Sequence, residues 1–162
     1  ALPIYGVSYR FMGADKVEVT PVIGTAASGL WEATYTFELP EGEWTAVDYE
    51  TKGWKTGKAA FGTDDNPYRS TPWQDGDIWV RRSFDWPEGT DKEDLFLLYS
   101  HDDNIELYIN GKQVAVTGNG LDYDLLKEIP QEVANTLKPT GNILAAHCRN
   151  NGGGAYVDMG IM

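Results

Sequence analysis

Residues 94–116, DLFLLYSHDDNIELYINGKQVAV, constrain what this chain can fold into more than any other stretch. Residues 95–99 are apolar on both faces, which suits a strand covered on two sides. After the polar corner His101-Asp102-Asp103-Asn104 the pattern becomes a strict alternation. Ile105, Leu107 and Ile109 point one way, Glu106 and Tyr108 the other. Asn110-Gly111 then supplies the two positive-φ residues of a type I′ turn. A two-residue turn pairs Ile109 with Lys112, Leu107 with Val114 and Ile105 with Val116, placing the aliphatic residues of both strands on one face. This is the hairpin of a β-sandwich.

The rest of the chain carries the same signature. Short strands are expected over residues 2–12, at Val17 and Val19, and over residues 32–39 and 45–50, with Gly13 and Pro40-Glu41-Gly42 as breaks. Residues 78–86 alternate Ile78, Val80, Arg82 and Phe84 against Trp79, Arg81 and Ser83. One of the two arginines must therefore face the core or an interface, where it needs a partner; Asp158 or Glu106 is the expected carboxylate. Residues 118–124 read as a loop. A helix of about two turns starts at Pro130, with Val133 and Leu137 four apart, and ends before Pro139. Residues 143–149 and 155–162 read as strands around the glycine-rich corner 150–154. Eight or nine short strands and one short helix predict an all-β jelly-roll sandwich, a single domain over residues 1–162. The start at Ala1 and the end in a strand-like run lead us to expect a piece cut from a larger multidomain protein.

Charge narrows the partners. Thirteen Lys+Arg against 25 Asp+Glu give a net charge of -12, which repels phosphate backbones and anionic lipid. Nucleic-acid and membrane partners are not expected, and no apolar run is long enough to span a bilayer. A lone cysteine, Cys148, forms no intrachain disulfide, and two histidines argue against a zinc site.

Residues 51–77 change character: four glycines, two prolines, and Trp54, Phe61, Tyr68 and Trp73. Linkers do not need large rings, so this loop either plugs one end of the sandwich or builds a ligand surface. A sugar site requires an aromatic face for pyranose C–H groups, with Asp, Asn or Arg for hydroxyls. Trp54, Asp64, Asp65, Asn66, Tyr68, Arg69 and Trp73 supply those types. So does the corner Arg149-Asn150-Asn151, whose neighbouring glycines permit close backbone approach. Asp64-Asp65-Asn66 lacks the alternating ligands of an EF-hand loop, so a structural calcium is a minority expectation and no cofactor is expected.

His101-Asp102-Asp103 carries the residue types of acid–base or metal chemistry, but the same residues make a tight turn, and that reading is favoured. His147 and Cys148 are adjacent in a strand and point to opposite faces, so this histidine is not placed to activate this thiol. No nucleophile-elbow, zincin or phosphate-loop motif occurs. Catalysis by this chain alone is not expected.

IWVRRSF, HDDNIELYINGKQV and LKPTGNILAAHCRNNGGG resemble the galactose-binding-like β-sandwich modules of secreted carbohydrate-active enzymes, as in the β-galactosidase and β-glucuronidase group of glycoside hydrolases. GVSYRFMGA, GWKTGKAAFGT and AAHCRNNGGGAYVDMGI are similar to the accessory module of secreted bacterial glutaminase-like proteins. The resemblance implies a non-catalytic module, secreted, periplasmic or at the cell surface, with neighbouring domains and a carbohydrate as its partners. It implies equally a module that only buttresses a catalytic domain, since a fold does not settle function.

Overall fold

The computed structural model describes residues 7–9 and 17–19 as backbone, and residues 21–162 in full. Its strands are β1 (Val7–Tyr9), β2 (Val17–Val19), β3 (Glu32–Thr36), β4 (Lys55–Lys58), β5 (Phe61–Gly62), β6 (Thr71–Pro72), β7 (Gly76–Phe84) and β8 (Phe96–Asp102). They continue as β9 (Asn104–Ile109), β10 (Lys112–Thr117), β11 (Asp122–Glu128), β12 (Asn142–Asn150) and β13 (Tyr156–Ile161), with one helix, α1 (Gln131–Ala134). A six-stranded sheet runs β10-β9-β12-β7-β3-β4 and a five-stranded sheet runs β11-β8-β13-β5-β6. β1 and β2 pair separately; the rest of the strand expected over residues 2–12, and Gly13, lie outside the described residues.

The two large sheets enclose one core, as the period-2 pattern requires. β7 contributes Ile78, Val80 and Phe84, β9 contributes Ile105, Leu107 and Ile109, and β12 contributes Leu144, Ala146 and Cys148. From the other sheet come Leu97 and Tyr99 of β8 and Val157, Met159 and Ile161 of β13. β8 and β13 are interior strands with buried residues on both faces, which accounts for the unbroken apolar run at residues 95–99. The all-β sandwich with one short helix is therefore as expected, with more and shorter strands.

Four local expectations are corrected. Asn110 and Gly111 do take positive φ, 49° and 82°, and Ile109 does face Lys112. A bulge between Gln113 and Ala115 then moves the register by one, so Leu107 faces Ala115 and Ile105 faces Thr117. Val114 and Ala115 are both buried, and Val116 turns outward at 62% exposed. Residues 45–50 form turns, because the carbonyls of Trp44, Ala46 and Val47 accept hydrogen bonds from Arg81 at 2.6, 2.8 and 3.4 Å. Residues 51–77 contain three short strands, β4, β5 and β6, so the loop is stitched into both sheets. The loop expected over residues 118–124 ends early: β11 begins at Asp122 and forms the edge of the five-stranded sheet.

The paired arginines find oxygens of a different kind from those expected. Arg82 faces the core side and donates to Gly24 O at 2.7 Å and Met159 O at 2.8 Å, with its guanidinium 4.4 Å from the Trp31 ring centre. Arg81, on the outer face, is closed over by residues 44–49 and Tyr49. Burial lowers both pKa values, Arg82 to about 10 against the opposing pull of Asp158. Backbone carbonyls satisfy them without a second desolvated charge in contact. Asp158 instead accepts from Ala26 N, Trp31 Nε1 and Met159 N, holding Ala26 and Trp31 against β13.

Candidate functional site

One groove of about 340 Å³ opens at the end of the sandwich where β5 and β6 meet. Its floor starts with β5, a two-residue strand tied on one side to β13 and on the other, in parallel, to β6. At Gly62 a Cβ would lie 2.2 Å from Ala155 O, so only glycine allows this approach. The chain leaves the sheet at Thr63, whose N–H donates to Ala155 O at 2.9 Å, and returns at Trp73, whose N–H donates to Gly62 O at 3.1 Å. The excursion between them presents Asp64 and Arg69 to the groove, and Gln74 and Asp75 follow just after the return.

Of the seven candidates in this loop, three line the groove: Asp64, Arg69 and Trp73. Arg69 Nη2 and Asp64 Oδ1 are in direct contact as an ion pair, with Asp64 the more exposed partner. Trp73 is only 3% exposed, so its ring is wall and core, not a stacking platform. Among the described residues, its Nε1 is the one buried side-chain polar atom without a hydrogen-bond partner. Such an orphan costs roughly 1–3 kcal/mol.

The remaining four are used otherwise. Asp65 accepts from Thr63 Oγ1 at 2.5 Å. Asn66 donates to Thr63 Oγ1 at 2.8 Å and Ala155 O at 2.9 Å, and accepts from the Tyr123 hydroxyl at 2.6 Å. Asp64 and Asp65 thus face different partners, and no group of three or more metal-ligating side chains forms among the described residues. Tyr68 stands exposed with φ 62°, its carbonyl accepting from Ala60 N. Trp54 lies edge-on against Tyr49, 5.9 Å between ring centres, beside the stretch that closes over Arg81.

The corner residues bond chiefly to the protein itself. Arg149 grips Asp77 through Nε at 3.0 Å and Nη2 at 3.3 Å. Asn150 Nδ2 donates to Gln74 O and Gly153 O, so the corner buttresses the back of the groove. Asn151 donates from its backbone to Asp103 Oδ2 and from its side chain to Asn104 Oδ1 and Asn119 Oδ1, each at 2.7 Å.

Sequence reasoning missed Phe37. It sits just past β3, is 41% exposed, and its ring is held edge-on by Tyr35 at 5.5 Å and capped by Lys55 Nζ at 5.3 Å. It lines the groove and is the aromatic ring there with free surface. Nothing local marks it, because the groove wall is assembled from segments some thirty residues apart. A second unforeseen array is the His147 ring stacked on Trp79, 4.7 Å apart and 3° from parallel, with Nε2 2.9 Å from Asp77 Oδ2. Burial raises the Asp77 carboxyl, but its bonds to Arg149 and His147 and their charges outweigh that and hold it below the usual range.

The suspected chemical groups are not arranged for catalysis. His101 is buried, its Nδ1 against Asp103 O and its Nε2 3.1 Å from Thr117 Oγ1. It is the last residue but one of β8, and Asp103, between the strands, and Asn104, the first residue of β9, hold the Asn151 corner. Cys148 has no exposed surface, and burial pushes its thiol far up, away from the nucleophilic thiolate.

No family model matches this sequence, and no curated protein matches it. Solved structures do. The chain is similar to part of Bacteroides uniformis β-glucuronidase 3, with TM-score 0.58 and 14% identity over 89% of this chain and 23% of that one. It is similar to part of Ruminococcus gnavus β-glucuronidase, with TM-score 0.57 and 14% identity over 86% of this chain and 28% of that one. A β-glycosidase from Bacteroides vulgatus matches with TM-score 0.56 and 16% identity over 81% of this chain and 19% of that one. The likeness is one of fold. The chain spans between about a fifth and just over a quarter of the length of these relatives.

Proposed function

We propose that this chain is a non-catalytic, carbohydrate-binding accessory domain of a larger secreted hydrolase, a glycoside hydrolase by the company its fold keeps. The groove carries this reading. It combines a half-exposed Phe37 ring, a charged pair with spare hydrogen-bonding capacity, and an indole N–H that the fold leaves without an acceptor. Those are the parts a pyranose uses: a ring for its C–H face and polar groups for its hydroxyls. Glycosidase chains several times longer contain the same sandwich, which supports a role beside a catalytic domain. Titration of the chain with mono- and oligosaccharides, followed by tryptophan fluorescence, should give saturable binding that Phe37→Ala weakens severalfold. A flat response across the panel would remove the proposal.

A second reading rests on the apolar side chains left outside the core. Leu30, Leu39, Val116 and Leu121 are 58, 79, 62 and 49% exposed. They suit a structural domain that packs against the catalytic domain of a glutaminase-like amidohydrolase and binds no sugar. In that case the fluorescence is unresponsive, and Trp54→Ala and Trp73→Ala respond no differently from the parent chain.

A further inference from the structure

Resting on the reading of the groove as a saccharide site, we infer that it takes an uncharged pyranose and turns away uronates and other anionic sugars. The argument is one of charge and hydrogen-bond supply. Arg69 is the cation in the groove wall, and Asp64 already neutralises it by direct contact. Asp75, exposed at the rim, has no cationic partner among the described residues. Asp65 stands directly behind, bonded to Thr63. Among the lining residues a ligand carboxylate meets no unpaired cation, Lys55 Nζ lying outside the lining over the Phe37 ring, and at least one uncompensated negative charge, on a chain whose net charge is -12.

Uncharged hydroxyls find the opposite situation. Each is donor and acceptor at once, so the Asp64 and Asp75 carboxylates can accept from them. The guanidinium N–H groups of Arg69 beyond its contact with Asp64 can donate to them, and so can Trp73 Nε1. That indole N–H has no exposed surface in the unliganded chain, so reaching it requires the atoms around it to move. Phe37 offers the apolar face. Neutral pyranose therefore matches both the surplus of acceptors and the orphan donor. The fold neighbours include β-glucuronidases, yet nothing in this wall is built to hold a glucuronate carboxylate.

The test is a calorimetric and NMR titration of the chain with neutral methyl pyranosides, glucuronate and glucosamine. A neutral pyranoside should bind and shift the Trp73 indole N–H resonance, with glucuronate roughly tenfold weaker or worse. Asp75→Asn, at an exposed position, should narrow that gap, because it removes a repulsion from glucuronate that the neutral sugar does not feel. Trp73→Phe keeps a ring and removes the donor, and should weaken the neutral sugar roughly five- to tenfold in a variant whose amide spectrum remains folded. Glucuronate binding as tightly as the neutral sugar, or more tightly than glucosamine, overturns the charge assignment and leaves the saccharide reading standing. An indole resonance that does not move while a neutral sugar binds, or Asp75→Asn leaving the gap unchanged, overturns it too. Absence of binding by every sugar removes both.

Discussion

The groove and the glycine-rich corner are made from the same residue types, and the structure treats them in opposite ways. Both offer Asp, Asn and Arg beside glycines and rings. At the corner, every side-chain donor of Asn150 and Asn151 with an assigned partner is spent on the protein itself, on Gln74, Gly153, Asn104 and Asn119. At the groove, Trp73 Nε1 has no partner and Asp75 has no counter-ion among the described residues. What separates the groove from the brace is thus the hydrogen bonds left over after folding, not composition. The two regions also meet: the corner holds the groove through Asn150 and Gln74 O.

That contrast can be broken most forcefully at the joint between them. Gly62→Ala drives a methyl group into Ala155 O, 2.2 Å from the ideal Cβ position, and should cost about 3 kcal/mol or prevent folding, read by denaturant unfolding. Next comes the brace. Asn150→Ala removes bonds to Gln74 O and Gly153 O at a buried position and should cost about 1–3 kcal/mol, with any loss of binding following from a loosened wall. Arg69→Ala should show the reverse profile. Its partner Asp64 is largely exposed, so unfolding should change by less than about 1 kcal/mol, while saccharide affinity falls. If Arg69→Ala destabilises as much as Asn150→Ala, the distinction between groove and brace fails.

The smallest effect is a pH dependence beneath the corner. Burial first, then the charge and hydrogen bond of Asp103 and the charge of Asp65, raise the Asp102 carboxyl to about 6. A carboxyl raised on folding binds its proton more tightly in the native state, so its contribution is full below the ordinary carboxylate range and is lost as pH rises through about 6. Buried Asp158, also raised to about 6, acts with the same sign; Asp77, held low, contributes stability that is lost only as pH falls. Asp102→Asn should therefore gain on the parent chain in thermal midpoint between roughly pH 4.5 and 6.5. Parallel curves would show that folding does not raise the Asp102 carboxyl.

Several elements could be read directly from the order of residues, and the ones that could not share a reason. β9 alternates over a buried face, and β7, β12 and β13 are mostly buried runs bounded by turn signals, so their type was legible. β11 was not, because an edge strand buries little: Asp122, Tyr123, Asp124, Lys127 and Glu128 are all exposed. The bulge at Val114 is invisible to a period-2 pattern, since Val114-Ala115-Val116 reads equally well in either register. The turns at residues 45–50 follow from Arg81, far along the chain, drawing three carbonyls to itself. Three of the ten candidate site residues line the groove; Phe37, which also lines it, has no local signal at all.

By itself the sequence determined an all-β sandwich, a hairpin closed by Asn110-Gly111, a core-facing arginine on β7 and a surface hostile to polyanions. Each of these is a property of local periodicity, local φ or net charge, which neighbours in the chain suffice to set. Only the tertiary structure decided which polar groups remain available. Asn66 is claimed by Tyr123, Asn150 by Gln74 and Asn151 by Asn119, while Trp73 Nε1 is claimed by none of the described residues. Hydrogen-bond satisfaction is a ledger kept across the whole fold, and a binding site is where that ledger is left open.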